Sequence, residues 1–462
     1  MATLLLALAG CTTPPMAPPK IETPAGHADI LISPRWWTAF QDPKLDALVD
    51  EALAANLDLA LAATRVDEAR AQMGVARAYM FPGLDLVVGG GRSRLSQVSG
   101  GEPFTGNPVS NTFNVGLNAA YEVDLWGKVR SSVKAADQSL QATEFDRDVI
   151  RIAVAAEVAR SYFSLVSADA ELAVLVDTLA TRDESVQLQR DRYDAGLSSE
   201  FDLRSAEAER ASVVADIATA TRIQKTIEAA LATLLGRNPR EVYTPVVDRS
   251  EVARAAATVP PIPAGLPSDL LAQRPDIRRQ EARLAASDYK VAEARARFFP
   301  SIVLTGTYGS ESSSLGNLFT GPAAIWSFAA GLTQPIFAAG LIKYQFEEAE
   351  ARRDQATVVY RQTVQVAFRE AHDAFVAYGA ARAVFVAQTE RRDRLAQALE
   401  LAQLRYKAGY SPYLEILDSQ RSLLRAETDR IIAARNLRTA IVDINKSLGG
   451  GWQTEAVATA TR

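Results

Sequence analysis

Few residues of this chain carry groups that could do chemistry, and their spacing points away from catalysis. There is one cysteine, Cys11, so no disulfide can form within the chain. The two histidines, His27 and His372, have no neighbours at metal-ligand spacing and read as polar surface residues. No nucleophile motif, glycine-rich phosphate loop or pair of carboxylates in a cleft-like context occurs. The chain is therefore not expected to be an enzyme or to hold a cofactor or metal. One charged group does stand out, in Tyr413-Leu414-Glu415-Ile416-Leu417-Asp418-Ser419-Gln420-Arg421. On a helix, Leu414 and Asp418 share a face, with Arg421 three residues further along. By spacing alone, Asp418 and Arg421 make a solvated surface pair, which is worth little.

Cys11 closes the run MATLLLALAGC, in which small residues precede a cut site. An apolar stretch this short suits a signal peptide and not a membrane span. No Lys or Arg precedes it. The run is similar to a bacterial lipobox, whose cysteine takes a lipid and becomes the mature N-terminus. Residues 1–11 are thus expected to be signal peptide, with Cys11 as the lipidation site. Thr12–Thr23, rich in Pro and Thr, is expected to be an extended, poorly packed tether within an N-terminal segment at 12–42.

The elements that position these groups are duplicated. Ala76-Arg77-Ala78-Tyr79-Met80-Phe81-Pro82 recurs as Ala294-Arg295-Ala296-Arg297-Phe298-Phe299-Pro300. Arg192-Tyr193-Asp194-Ala195-Gly196-Leu197-Ser198 recurs as Arg405-Tyr406-Lys407-Ala408-Gly409-Tyr410-Ser411, and Leu235-Gly236 as Leu448-Gly449. Three matches in one order mark two repeats, expected at 43–245 and 267–449, with a Pro-rich linker at 246–266 and a tail at 450–462. Only the second repeat carries the carboxylate, because Phe201 and Ser205 stand where Leu414 and Asp418 do.

Each repeat contains alternating segments. From Val109 to Gly127, Phe113, Val115, Leu117, Ala119, Tyr121, Val123 and Leu125 share one face, and Asn114, Gly116, Asn118, Ala120, Glu122 and Asp124 the other. Trp326, Phe328, Ala330 and Leu332 alternate in the same way, with partner strands near Leu84–Gly90 and Ile302–Gly309. This suits strands between lipid and a wet lumen, and equally the half-buried strands of a soluble sandwich. Four strands are too few to close a membrane barrel, so strands that span require several chains in one barrel.

No proline or internal glycine interrupts 128–195, and 341–408 holds only Gly379. Each stretch, if helical, is roughly 100 Å long at about 1.5 Å per residue. Ile152, Ala155, Ala159, Tyr162 and Val166 alternate steps of three and four, as do Ala367, Ala371, Ala374, Tyr378, Ala381 and Phe385. Those are heptad seams. A second seam runs beside each: Val149, Ala153 and Ala156 in one helix, Val364, Phe368 and Phe375 in the other. Two seams suit a helix in the wall of a helical tube, while a single buried stripe would suit an ordinary solvated bundle. Shorter helices are expected at Pro43–Tyr79, Leu203–Leu235, Pro267–Phe298 and Tyr413–Leu448. The repeats turn at Ala195-Gly196-Leu197-Ser198 and Ala408-Gly409-Tyr410-Ser411. There a glycine follows each long helix, Ser199 heads a capping-box-like Ser-Glu-Phe-Asp, and Pro412 suits a first helical position.

The net charge of −5 is spread without a basic face, so no nucleic-acid partner is expected. The chain resembles a TolC-like outer membrane factor, of the lipoprotein branch that serves resistance-nodulation-division (RND) drug efflux pumps. The segments that carry the resemblance are Trp36-Trp37 through Asp42-Pro43-Lys44-Leu45, Tyr121-Glu122-Val123-Asp124-Leu125-Trp126-Gly127, Gln273-Arg274-Pro275-Asp276-Ile277-Arg278, Phe299-Pro300-Ser301, Gln334-Pro335-Ile336-Phe337 and Leu448-Gly449-Gly450-Gly451-Trp452. It implies a mostly α fold with a membrane β-barrel. Three chains would share twelve strands, above a long periplasmic helical barrel and a small equatorial domain. It implies a passive exit duct in the outer membrane that reaches into the periplasm, with a periplasmic adaptor (membrane fusion) protein and an inner-membrane RND pump as partners. The adaptor would meet the turns Ala195–Ser198 and Ala408–Ser411. Three copies of Leu414 and Asp418, with Arg421 beside them, would close the periplasmic end. Two other functions fit parts of the pattern: a type I protein or peptide secretion duct, and a periplasmic coiled-coil scaffold without a pore.

Overall fold

The computed structural model describes residues 34–96, 108–244, 246 and 274–450. Cys11, the expected tether, most of the expected linker, and all but the first residue of the expected tail lie outside them.

The duplication is plain in the order of elements. The first copy runs α1 (Pro43–Ala55), α2 (Leu57–Ala78), β1 (Gly83–Arg94), β2 (Val109–Glu122), α3 (Lys128–Asp194) and α4 (Glu200–Leu234). The second runs α5 (Pro275–Ala296), β3 (Ser301–Ser312), β4 (Ala324–Thr333), α6 (Leu341–Lys407) and α7 (Tyr413–Ser447). Helices α3 and α6 both have 67 residues, and α4 and α7 both have 35. Gly127, Gly196 and Gly236 sit at φ of 77°, 71° and 68°, and Gly340, Gly409 and Gly449 at 84°, 77° and 88°. Each of the second set lies 213 positions after its counterpart. Left-handed backbone is open to glycine at no steric cost, so the same residue starts and stops the same helices in both copies.

Three expectations are corrected. The segment Pro43–Tyr79 is not one helix. Asn56 adopts an extended conformation (φ −63°, ψ 131°) and splits it. Its Oδ1 accepts from the backbone of Asp58 and Leu59, while its Nδ2 donates to the Leu234 carbonyl. A buried amide with three partners outweighs one further turn of helix. The strand β2 ends at Glu122 and does not run on to Gly127. Asp124 turns instead to accept from the amides of Val129 and Arg130 at the start of α3, where a carboxylate also meets the positive helix end. Pro412 is the N-cap of α7, not its first residue, because its ψ of 160° is extended.

The chain forms two compact units, and each draws on both repeats. One comprises residues 65–144 and 279–361. Its centre is a four-stranded antiparallel sheet in the order β1-β2-β3-β4. The register puts Leu86 opposite Leu117, Leu117 opposite Tyr308 and Tyr308 opposite Trp326. Directly opposed residues share a face, so Leu84, Leu86, Val88, Leu117, Tyr308, Trp326, Phe328 and Leu332 line one side, and all are exposed. The other side carries Asn114, Asn118, Thr305, Thr307, Ser327 and several glycines; Thr307 donates to the Asn118 side chain at 3.1 Å. No described residue covers the apolar side, as a sandwich would. Gly116 and Gly309 face each other so closely that a Cβ on Gly116 would come within 3.1 Å of the Tyr308 carbonyl.

The other unit comprises residues 21–64, 145–278 and 362–462, described in part. Its core gathers Trp36, Trp37, Phe40, Leu45, Val49, Leu231 and Leu235 around Val158, Ala159, Tyr162, Phe163 and Leu165 of α3. Asp42 caps α1 and accepts from the Tyr162 hydroxyl at 2.6 Å in the buried centre. Burial and the neighbouring Asp42 carboxylate push the Tyr162 phenol up. The first seam of α3 is confirmed at Ala155, Ala159, Tyr162 and Val166, and that of α6 at Ala367, Ala371 and Ala374. Of the second seam of α3, Ala156 is buried within the chain and Ala153 is exposed.

Candidate functional site at the helix turns

The turn after α3 and the turn after α6 are built alike. The Leu197 amide donates to the Arg192 carbonyl at 2.7 Å and the Gly196 amide to Tyr193 at 2.8 Å; the Tyr410 amide donates to Arg405 at 2.9 Å and Gly409 to Tyr406 at 3.0 Å. This double bond pattern closes a helix through a left-handed residue, here Gly196 and Gly409. The copies differ in how the next helix starts. Ser199 Oγ accepts from the Asp202 amide at 3.2 Å, whereas α7 has no side-chain cap.

Both turns present apolar groups. Ala195, Gly196, Leu197, Ala408, Gly409 and Tyr410 are exposed, and Ser198 and Ser411 half-buried. Leu197 and Tyr410 occupy equivalent positions, as do Phe201 and Leu414, and all four side chains are more than half exposed.

Beneath the turns, Val186, Ala206, Ala402, Tyr413, Ile416 and Leu417 form a small core that ties α3, α4, α6 and α7 together. Tyr406 and Tyr413 pack their rings 5.9 Å apart, the Arg192 guanidinium lies 5.1 Å from the Tyr406 ring centre, and Gln189 donates to the Tyr406 hydroxyl at 3.1 Å. Cation–π contact of this kind adds about 0.5–2 kcal/mol.

This core orients α7. Tyr413, Ile416, Leu417 and Gln420 are buried, which turns the opposite face outward. Leu414, Asp418 and Arg421 stand on that outward face, all exposed. The structure thus brings the three predicted gate residues onto one stripe. It does not pair Asp418 with Arg421. The Arg421 guanidinium donates to Glu209 of α4, at 2.8 Å from Nε and also through Nη2. Glu209 first, and Asp418 less, hold the guanidinium above its usual range, so it stays charged. One residue along, Gln420 accepts from Arg182 of α3. Arg182 is 2% exposed, and burial pulls its guanidinium down. Sequence reasoning missed Glu209, Arg182 and Gln420. Their partners lie more than two hundred residues away, and no local pattern reports such a contact. His372 is exposed beside Asp373, as a surface histidine. Among the described residues no cluster of His, Cys, Asp and Glu could hold a metal ion, and no helix is long and apolar enough to cross a membrane.

The sequence matches the family described as outer membrane efflux protein over residues 48–237 and 266–450. It is 36% identical to the solvent efflux pump outer membrane protein SrpC of Pseudomonas putida across 97% of each chain. It is 31% identical to the pyoverdine export outer membrane protein OpmQ of Pseudomonas putida, over 98% of this chain and 97% of that one. Among solved structures, the CmeC outer membrane channel of Campylobacter jejuni matches with a TM-score of 0.86 at 27% identity, over 95% of both chains.

Proposed function

Because the chain belongs to the outer membrane efflux protein family and so resides in the outer membrane, we propose that three copies form the passive exit duct of a tripartite efflux system. Each copy gives four strands to one twelve-stranded barrel, and the helices extend it into the periplasm. The observation that carries this reading is the sheet, which among the described residues has an uncovered apolar face and two unpaired edges, neither of which one chain can keep in lipid or in water. The duct itself supplies no energy. An inner-membrane RND pump drives transport, and a periplasmic adaptor joins pump to duct. The cargo is small molecules, in keeping with the relatives that serve solvent efflux and pyoverdine export.

The adaptor meets the two turns, where Leu197 and Tyr410 offer apolar anchors and hot-spot contacts favour such residues. Leu197→Asp and Ser198→Arg in an assembled trimer should abolish adaptor cross-linking and efflux; survival of both moves the docking surface elsewhere. The outward stripe of α7 forms the gate: three Leu414 side chains resist wetting and three Asp418 carboxylates repel one another and attract cations. Cys11 carries the lipid anchor, so Cys11→Ser should end lipid labelling while the barrel still inserts.

The test of the function is planar-bilayer conductance of the purified protein, whose mass in mild detergent should be three times that of the chain. Leu414→Gly with Asp418→Ala should raise basal conductance well above wild type. A double mutant that assembles and stays as closed as wild type removes these residues from the gate. A protein of single-chain mass removes the shared barrel.

A further inference from the structure

The two helix–strand junctions of this chain have the same sequence signature but different company. Phe298-Phe299-Pro300 leads from α5 into β3 and is gripped from both neighbouring strands. From the exit of β2, Trp126 stacks on Phe299 with ring centres 4.9 Å apart and planes 19° from parallel, and its Nε1 donates to the Pro300 carbonyl at 2.7 Å. From the exit of β4, the Gln334 side-chain Nε2 donates to the Phe298 carbonyl at 3.2 Å. Phe346 of α6 meets the Phe298 ring edge-on at 5.8 Å.

The equivalent junction, Met80-Phe81-Pro82, leads from α2 into β1, and β1 is an edge strand. Among the described strands it has a neighbour on the β2 side only. Tyr79 and Phe81 are 69% and 64% exposed. At the other edge, the exit of β4 leads into Ile336 and Phe337, which are 91% and 89% exposed. Just beyond them Ala339, a residue with a Cβ, sits at a φ of 47°. That conformation is uncommon outside glycine. The junction thus has an empty side, and a segment of matching apolar character is left with nothing to grip.

Antiparallel pairing says where the two meet. The end of β2 lies beside the start of β3, as Glu122 opposite Val303 shows. An antiparallel pairing of β4 with the β1 of a second copy likewise sets the end of β4 beside the start of that β1. We propose that Ile336 and Phe337 of one copy clasp the Tyr79-Met80-Phe81-Pro82 junction of the next, as Trp126 clasps Phe299-Pro300 within the chain. The occupant of each exposed site is a second copy of this chain, and the clasp repeats around the ring at the periplasmic rim of the barrel. The inference rests on the shared barrel proposed above and adds the residues that lock neighbouring copies together.

Phe81→Cys combined with Phe337→Cys tests it in the full-length protein. The variant is extracted in mild detergent, its mass measured, and then treated with oxidant or with a bismaleimide that tolerates longer spans than a disulfide allows. Most chains should run as covalent dimers and trimers under denaturing, non-reducing conditions, while either single variant runs as monomer. If the mass is three times that of the chain but no covalent species forms, the shared barrel stands and the clasp is wrong. If the mass is that of one chain, both ideas fall. Tyr79→Cys with Ile336→Cys gives an independent pair should the first variant not assemble. Phe337→Ala, which leaves every intrachain contact named here in place, should lower the temperature at which the trimer dissociates in dodecyl sulfate. An unchanged dissociation temperature also counts against the clasp.

Discussion

Phe163 of α3 and Val376 of α6 stand at equivalent positions of two helices of equal length, yet one is 2% exposed and the other 58%. Around Phe163 the chain supplies its own cover. Phe40 packs its ring 4.8 Å away and Tyr162 at 5.7 Å, and Trp36, Trp37 and Leu45 complete the shell. Around Val376 it supplies less. Ala371 and Ala374 meet Ile444 and Leu448, but Val366, Val376, Val384, Val386, Leu401 and Leu404 remain exposed. A periodic apolar stripe states that a helix face will be covered; it does not state by whom. In the proposed trimer α3 is the helix a chain folds around, and α6 is the helix it offers to its neighbours.

The sharpest way to break this comparison is to cut the same position in both copies. Phe163→Ala should destabilise the chain by about 3–5 kcal/mol, the usual cost of emptying an aromatic site in a core. Val376→Ala should change it by no more than about 0.5 kcal/mol, both read from urea unfolding followed by circular dichroism. Equal losses at the two sites would mean that α6 is a core helix too.

A charge separates folding from assembly. Val376→Asp should leave helix content near wild type but shift the detergent mass from three chains towards one, because an unpaired carboxylate buried between neighbouring chains lacks both water and partner. A variant that remains fully trimeric places this face of α6 in water.

The buried phenol probes the α3 core more gently. Tyr162→Phe removes the donor to Asp42 and should cost about 1.5–3 kcal/mol, as for a hydrogen bond to a charged acceptor. The tyrosine's pKa is raised on folding, so the folded state holds this proton more tightly than the unfolded chain. Its contribution is therefore complete below the ordinary tyrosine range near about 10 and declines as pH rises through and beyond it. The alkaline loss of stability should be shallower in Tyr162→Phe; an identical alkaline limb would remove Tyr162 as its source.

The smallest contrast lies at the turns. Ser199→Ala deletes the cap of α4 and should cost about 0.5–2 kcal/mol, typically about 1. Ser411→Ala should be nearly silent, since α7 has no side-chain cap to lose. If thermal melting finds the two equal, the turns differ less in energy than in geometry.

How much could be read in advance follows the reach of each interaction. The turn glycines were legible because a left-handed φ is a property of one residue. The sheet was legible because alternation survives in any strand with one apolar face. The break at Asn56 was not, because the amide that stabilises it donates to a carbonyl 178 residues away. At the candidate gate, the stripe of Leu414, Asp418 and Arg421 followed from helical spacing, but the partner of Arg421 did not. Asp418 is three residues distant and Glu209 is 212; the nearer carboxylate in sequence is not the one the fold delivers.

The sequence by itself determined the two copies, the extent of the two long helices, the number of strands and the positions of the turns, since each depends on interactions within a few residues. Only the tertiary structure decided which copy of a repeated stripe is buried, which carboxylate holds Arg421, and which of two like helix–strand junctions is left half empty. Those outcomes depend on which distant segments come to lie together, and residues 213 positions apart with the same local pattern meet different neighbours there.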